Sequence, residues 1–264
     1  MAKSRIILVD NGSLEAESTL QCRRLAHAVS SLIHQEVEAV SVLHSNKVDA
    51  QQLHHLPAKI FAEVVKETAQ SDVIQLVVLP LFIGPSRAIT EYIPEQFKIH
   101  ARGNLQLKIA PTLYGTDGIL RKILIDQLFE TGWEPSSGTV FLCDHGSPAP
   151  EVTAVRDALA REIREDLELS PLQFIACSME RREGPEYAFN EPLLETVLPR
   201  AQGEATLLMQ FLLPGRHAGP GGDVEEICAK FAPPHLKWKR SKLIGEHPAL
   251  PALIAQRYRE ASLS

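Results

Sequence analysis

The sequence predicts an α/β fold made of two similar halves, each with a parallel sheet flanked by helices, and three observations support that prediction. Short apolar runs alternate along the chain with segments whose apolar residues recur at three- and four-residue spacing, as strands alternating with helices do. Several runs are apolar almost without interruption, which suits strands covered on both faces. The third observation is repetition. Ile6-Ile7-Leu8-Val9-Asp10-Asn11-Gly12-Ser13 aligns without gaps on Val140-Phe141-Leu142-Cys143-Asp144-His145-Gly146-Ser147, sharing Leu, Asp, Gly and Ser. Residues 77–88 match residues 207–218 in the same order and at nearly the same offset.

In the first half, residues 5–9 read as a strand closing on Asp10-Asn11-Gly12-Ser13. Residues 15–34 carry Leu20, Leu25, Ala26, Val29, Leu32 and Ile33 on one helical stripe. Residues 37–43 are a second strand by β-branched content. A polar stretch, 45–56, precedes a helix expected to start at Pro57 and run to about Gln70. Residues 73–82 form a buried strand that runs into Ile83-Gly84-Pro85-Ser86-Arg87, followed by a helix at 91–97, a strand at 105–110 and a helix at 118–131. Gly132-Trp133-Glu134-Pro135-Ser136-Ser137-Gly138 is dense in turn residues and reads as the linker, giving halves of 1–133 and 138–264.

The second half opens on a strand ending in His145-Gly146-Ser147, with Ser147 and Pro148 suited to the N-cap and first position of the next helix, 151–167. Next come a strand at 172–177, a loop at 178–190, a Pro192-started helix to about Ala201 and an apolar strand at 205–213. A turn at 214–222, a helix at 223–231, a strand at 237–243 and a helix at 247–261 complete it.

The totals exclude several classes. The chain has 264 residues, 44% hydrophobic and 23% charged, as in ordinary globular proteins. A net charge of −6, with no basic run longer than Lys237-Trp238-Lys239-Arg240, argues against a nucleic-acid partner. The opening apolar run is too short for a signal peptide or membrane span, so a cytoplasmic protein without membrane attachment is expected. Cys22, Cys143, Cys177 and Cys228 lack metal-site spacing and read as buried free thiols. GxGxxG is absent, and no organic cofactor is expected.

Two strand ends of the second half lead to histidines, His145 and His217, and strands of a parallel sheet present their carboxyl ends along one edge. Imidazole both binds transition metals and moves protons near neutral pH. The first half has Asn11 at the place of His145, and Arg87, or Ala88 with the register shifted by one, at that of His217. The loop Met179-Glu180-Arg181-Arg182-Glu183-Gly184-Pro185-Glu186-Tyr187 offers Glu180 as a third ligand or base, and Arg181 and Arg182 as carboxylate partners; a solvated charge cluster is the alternative. Glu191 reads as a first-turn carboxylate. The turn before Asp223 suits an anion or ordinary capping by Asp223. His54-His55 reads as surface rather than as a metal site.

A strand ending in His-Gly-Ser, a middle strand followed by a Glu and a later Glu-Pro-Leu-Leu, and an apolar strand leading to Leu-Leu-Pro-Gly-Arg-His together resemble the class II chelatases, the sirohydrochlorin cobalto- and ferrochelatases, as two tandem copies of the short family unit. The resemblance implies two facing Rossmann-like halves enclosing a cleft. It implies that His145 and His217 bind the incoming divalent metal and help remove pyrrole protons. Glu180 is the matching acidic residue, with Glu191 as rival. Arg181, Arg182 and Arg216, with Gly146 and Ser147, would hold the tetrapyrrole. The metal, Co2+ or Fe2+ with Ni2+ as a further candidate, is then a substrate, and the chain a monomer or homodimer. The match departs from the family at the Asp-Ile-Pro-like element: Ile93-Pro94 remain in the first half without the histidine, and Gly-Pro-Gly-Gly-Asp follows His217. A non-catalytic tetrapyrrole or metal carrier is a second reading. A phosphoryl-transfer enzyme with His145 as nucleophile is a third, but that chemistry wants an arginine where Asp144 stands.

Overall fold

The structure, a computed structural model, describes residues 3–263. Strands and helices alternate as β1 (Ser4–Asp10), α1 (Ala16–Ile33), β2 (Val37–Ser41), α2 (Phe61–Ala69), β3 (Gln75–Pro80), α3 (Ile93–His100), β4 (Gln106–Ile109) and α4 (Ile119–Glu130). The series repeats as β5 (Thr139–Asp144), α5 (Pro150–Asp166), β6 (Phe174–Ser178), α6 (Leu194–Val197), β7 (Glu204–Met209), α7 (Asp223–Phe231), β8 (Lys237–Arg240) and α8 (Leu250–Leu263). Two four-stranded sheets result, β2-β1-β3-β4 and β6-β5-β7-β8, and neighbouring strands in both run parallel.

The unbroken apolar runs became the central strands because only there are both faces covered. Ile7, Leu8 and Val9 of β1, and Val140 to Cys143 of β5, are fully buried. All four cysteines are free and buried. In each sheet the chain leaves the central strand to one side and returns on the other. The crevice at the carboxyl ends of β1 and β3, or of β5 and β7, is therefore where such a sheet receives a ligand.

The compact units do not coincide with the halves 1–133 and 138–264. One unit contains the residues up to Leu113 together with those from Pro248; the other runs from Tyr114 to His247. Each half thus gives its last helix to the other unit. Turn density reads as a linker at 132–138, but the packing of an apolar stripe decides where a helix belongs. The Gln127 amide of α4 donates to the Leu243 carbonyl at 2.6 Å. In α8, Arg257 donates to the carbonyls of Thr112 and Leu113 at 2.9 and 2.8 Å.

Three expected helix starts shift. Helix α2 begins at Phe61 rather than Pro57, where Glu63 accepts from the Ile60 amide at 3.4 Å. Helix α5 takes Pro150 into its first turn, while Ser147 accepts from the Ala149 amide at 3.1 Å. After Pro192 the chain forms only α6 and a short 3-10 turn, Leu198–Arg200. The expected strand 205–213 ends at Met209, because the apolar run continues beyond the ladder. Among the described residues no helix is long and apolar enough to cross a membrane.

Candidate functional site

Three strand ends of the second unit bring the predicted residues to one edge. His145 is the first residue after β5, Glu180 the second after β6, and His217 lies in the turn after β7. The two imidazole rings meet edge to face, with centroids 4.5 Å apart and planes at 74°. Nε2 of His145 lies 3.5 Å from Oε1 of Glu180. These side chains are open to a ligand, at 44% exposure for His145, 58% for Glu180 and 38% for His217.

The second ring nitrogens decide which atoms can act. Nδ1 of His145 is 2.9 Å from its neighbour's carbonyl, Gly146 O, and Nδ1 of His217 is 2.6 Å from Oδ2 of Asp223. A carbonyl or carboxylate oxygen can only accept, so in both hydrogen bonds Nδ1–H donates. Each neutral ring then carries its lone pair on Nε2, the orientation in which a histidine serves as ligand or proton acceptor. Asp223, in the first turn of α7, also lies 3.6 Å from Nε of the exposed Arg216. As they stand, no three His, Cys, Asp or Glu side chains among the described residues form a ready-made metal cluster.

Sheet register shows what became of the same positions in the first unit. Ile6 pairs with Val77, and Val140 with Thr206, which makes Ala88 the counterpart of His217 and Arg87 that of Arg216. The Glu180 amide donates to His145 O at 3.2 Å, just as the Leu43 amide donates to Asn11 O at 3.4 Å. Asn11, Leu43 and Ala88 therefore replace His145, Glu180 and His217. The turn itself is common to both. Gly12 and Gly146 have φ of +92° and +91°, and a Cβ on either would lie 1.8 or 1.9 Å from the carbonyl oxygen of Leu43 or Glu180. Only glycine fits that approach.

Other predicted residues are held elsewhere. Arg181 is engaged by Oε1 of Glu191 at 2.7 Å and by the carbonyls of Arg182 and Gly184, so it staples its own loop. That contact and the Leu193 amide, 3.1 Å from Oε2, occupy Glu191; Glu180 is the carboxylate brought to His145. The Gly146 amide is spent on Asp144 and the Ser147 amide on Asn190, which leaves them structural work. Arg182, over the Tyr187 ring, and Arg216 are exposed arginines near the strand ends of the second unit.

Sequence reasoning missed Asp223 as the partner of His217 and saw it only as a helix start. It also missed Arg156, though an arginine on the apolar stripe of Leu159, Ala160 and Ile163 is a readable signal. Arg156 is 1% exposed and lies 3.9 Å from Asp144. Burial pushes the Asp144 carboxyl above its ordinary range, while Arg156, the Ser178 hydroxyl and the Gly146 amide pull it back. A concavity of 550 Å3 lined by Arg23, His27, Ser30, His34 and Glu36 lies in the first unit, away from these groups. Its arginine is spent on the carbonyls of Leu53, Leu56 and Pro57.

No family model matches the sequence, and no curated protein matches it. Solved structures do match. SirB from Bacillus subtilis with Fe3+ is similar over 98% of this chain and 95% of its own, with a TM-score of 0.65 at 18% identity. The fold is that of the sirohydrochlorin chelatases. The sirohydrochlorin chelatase SirB from Bacillus subtilis subspecies spizizenii, in complex with cobalt, matches over 99% of this chain and 96% of its own, with a TM-score of 0.66 at 16% identity. CbiX, the terminal enzyme for biosynthesis of sirohaem in denitrifying bacteria, matches over 98% of this chain and 99% of its own, with a TM-score of 0.58 at 14% identity. The sirohydrochlorin-chelatase fold thus covers both units, and at these identities the likeness is one of fold.

Proposed function

We propose that this chain is a chelatase that inserts a divalent metal, Co2+ or Fe2+, into sirohydrochlorin. One observation carries the reading: Nε2 of His145 faces Glu180 at 3.5 Å, beside a second imidazole whose Nδ1 is also committed. Two donors bound to one tetrahedral ion at ~2.0–2.2 Å lie about 3.4 Å apart, so His145 and Glu180 already stand at the separation a shared ion needs. Their exposure suits a cargo that must leave again. Insertion exchanges the metal for two pyrrole N–H protons, which leave the macrocycle as the metal–nitrogen bonds form. Neutral Nε2 atoms and a carboxylate are bases suited to receive them. Arg182 and Arg216 supply exposed cations for the carboxylates of the macrocycle, a local basic lining on an acidic chain.

Anaerobic sirohydrochlorin mixed with Co2+ or Fe2+ and the purified protein, followed by absorption, tests this reading. Metal insertion should run faster than without protein. His145→Ala and His217→Ala should each lower the rate by roughly 10²–10⁴-fold, the usual worth of a positioned base. No acceleration with any divalent metal would sink the enzyme reading. Tight binding without turnover would favour a carrier, a reading suggested by Asn11, Leu43 and Ala88 in the first unit.

A further inference from the structure

Behind His145 and Glu180 lies a buried polar network that the proposed chemistry does not use. Nη1 of Arg156, in the middle of α5, donates to Ser178 Oγ at 2.6 Å and to the Asn190 carbonyl at 2.9 Å. Ser178 Oγ in turn donates to Asp144 Oδ1 at 2.6 Å. Asn190, fully buried, accepts from the Ser147 amide at 2.9 Å and from Thr153 Oγ1 at 3.1 Å. Its Nδ2 donates to the carbonyls of Ser147 at 2.9 Å and Tyr187 at 3.1 Å. The residue before His145, the second residue after it and the second residue before Glu180 are thereby tied to one arginine and one asparagine.

The first unit shows what the same scaffold is without that network. Counted without a gap from the aligned strands, α1 and α5 bury the same positions: Leu25 and Leu159, Ala26 and Ala160, Val29 and Ile163. On that count Cys22 stands for Arg156 and Thr19 for Thr153. The bridges Ser41 to Ile60 and Ser178 to Leu193 make Pro57 the counterpart of Asn190. In the first unit Asp10 Oδ1 and Thr19 Oγ1 are left buried without a partner. Yet the strand ends, the glycine turn and the backbone bonds across it are all retained. Folding of the edge therefore does not require the network. It is complete in the unit that carries His145 and Glu180, and broken in the unit that carries Asn11 and Leu43.

We infer that Asn190 and Arg156 are positioning residues that hold His145 and Glu180 at metal-sharing distance, an inference that rests on the chelatase reading. His217 is oriented separately, by Asp223, and this separation makes the idea testable. Co2+ is titrated into the full-length protein and followed by its visible absorption, for Asn190→Ala alone and combined with His145→Ala or with His217→Ala. Asn190→Ala should weaken Co2+ binding at least about tenfold, as loss of a partner behind a ligand does. It should add little to His145→Ala, in which the positioned pair is already broken, and its full effect to His217→Ala. A purely structural loss would add equally to both histidine variants and would overturn the inference, as would unchanged affinity. Thr153→Val removes a single bond of the network and supplies the same cycle if Asn190→Ala does not fold; a smaller loss of the same pattern supports the inference, and none overturns it. Absence of Co2+ binding by the unaltered protein overturns the chelatase reading and this inference with it.

Discussion

Asp10 and Asp144 hold the same place in two copies of one turn, and their neighbours make them different. Among the described residues Asp10 has no cation beside it where Asp144 has Arg156, and burial pushes its carboxyl from 3.8 up to about 6, against the pull of Ser41 and the Gly12 amide. A carboxyl raised on folding favours the native state while it is protonated in both states. Its contribution is full below about pH 4 and is lost as pH rises through about 6. Asp10→Asn should flatten that part of the stability profile. Near pH 7 it should stabilise the protein by about 1–3 kcal/mol, since a shift of one pKa unit is worth ~1.4 kcal/mol and the new amide gains few partners. Denaturant unfolding at pH 4, 6 and 8 would check this; an equal effect at every pH would contradict the assignment. From sequence the two aspartates look identical. The difference lies in Cys22 and Arg156, each on the helix that follows its turn, and only the fold shows that this helix face lies against the aspartate.

At the level of elements, the turn after β7 and the start of α7 act together. Helix α7 was readable to the residue, Asp223–Phe231, because a glycine-rich turn and three acidic residues mark its first turn. That His217 lies in this turn was also readable; that its ring is held by Asp223, six residues on, was not, because a turn's path sets which side chains meet. Asp223→Ala should weaken Co2+ binding by about 10–100-fold. Asp223→Asn, which keeps an oxygen for Nδ1–H but loses the charge, should fall between it and the unaltered protein. The same absorption titration reads both, and unchanged affinity in Asp223→Ala would remove Asp223 from the site. Register was equally out of reach. The apolar runs 77–82 and 207–212 slide past one another by a residue without penalty in sequence, and hydrogen-bonded pairing chose Ala88 over Arg87 as the counterpart of His217.

For the whole molecule, the exchange of end helices matters most. Helix α8 packs in the first unit, where α1 is its neighbour and Arg257 covers the carbonyls of Thr112 and Leu113. Arg257→Ala should cost about 2–4 kcal/mol, the expense of two carbonyls left short of donors plus lost packing. Hydrogen exchange would locate the damage: amides of β1 to β4 should lose protection before those of β5 to β8. Uniform loss across both sheets would argue against α8 as a part of the first unit alone.

The sequence by itself determined the alternation of strands and helices, the duplication and the order of the histidines, one directly after β5 and one in the turn after β7, because each is a local pattern of polarity, turn residues and repetition. Tertiary structure alone decided which carboxylate reaches His145, which nitrogen of each ring stays free, which arginines are spent, and which unit each end helix joins. Those outcomes depend on groups far apart in the chain competing for the same hydrogen bonds and the same buried faces, and no local pattern records who wins.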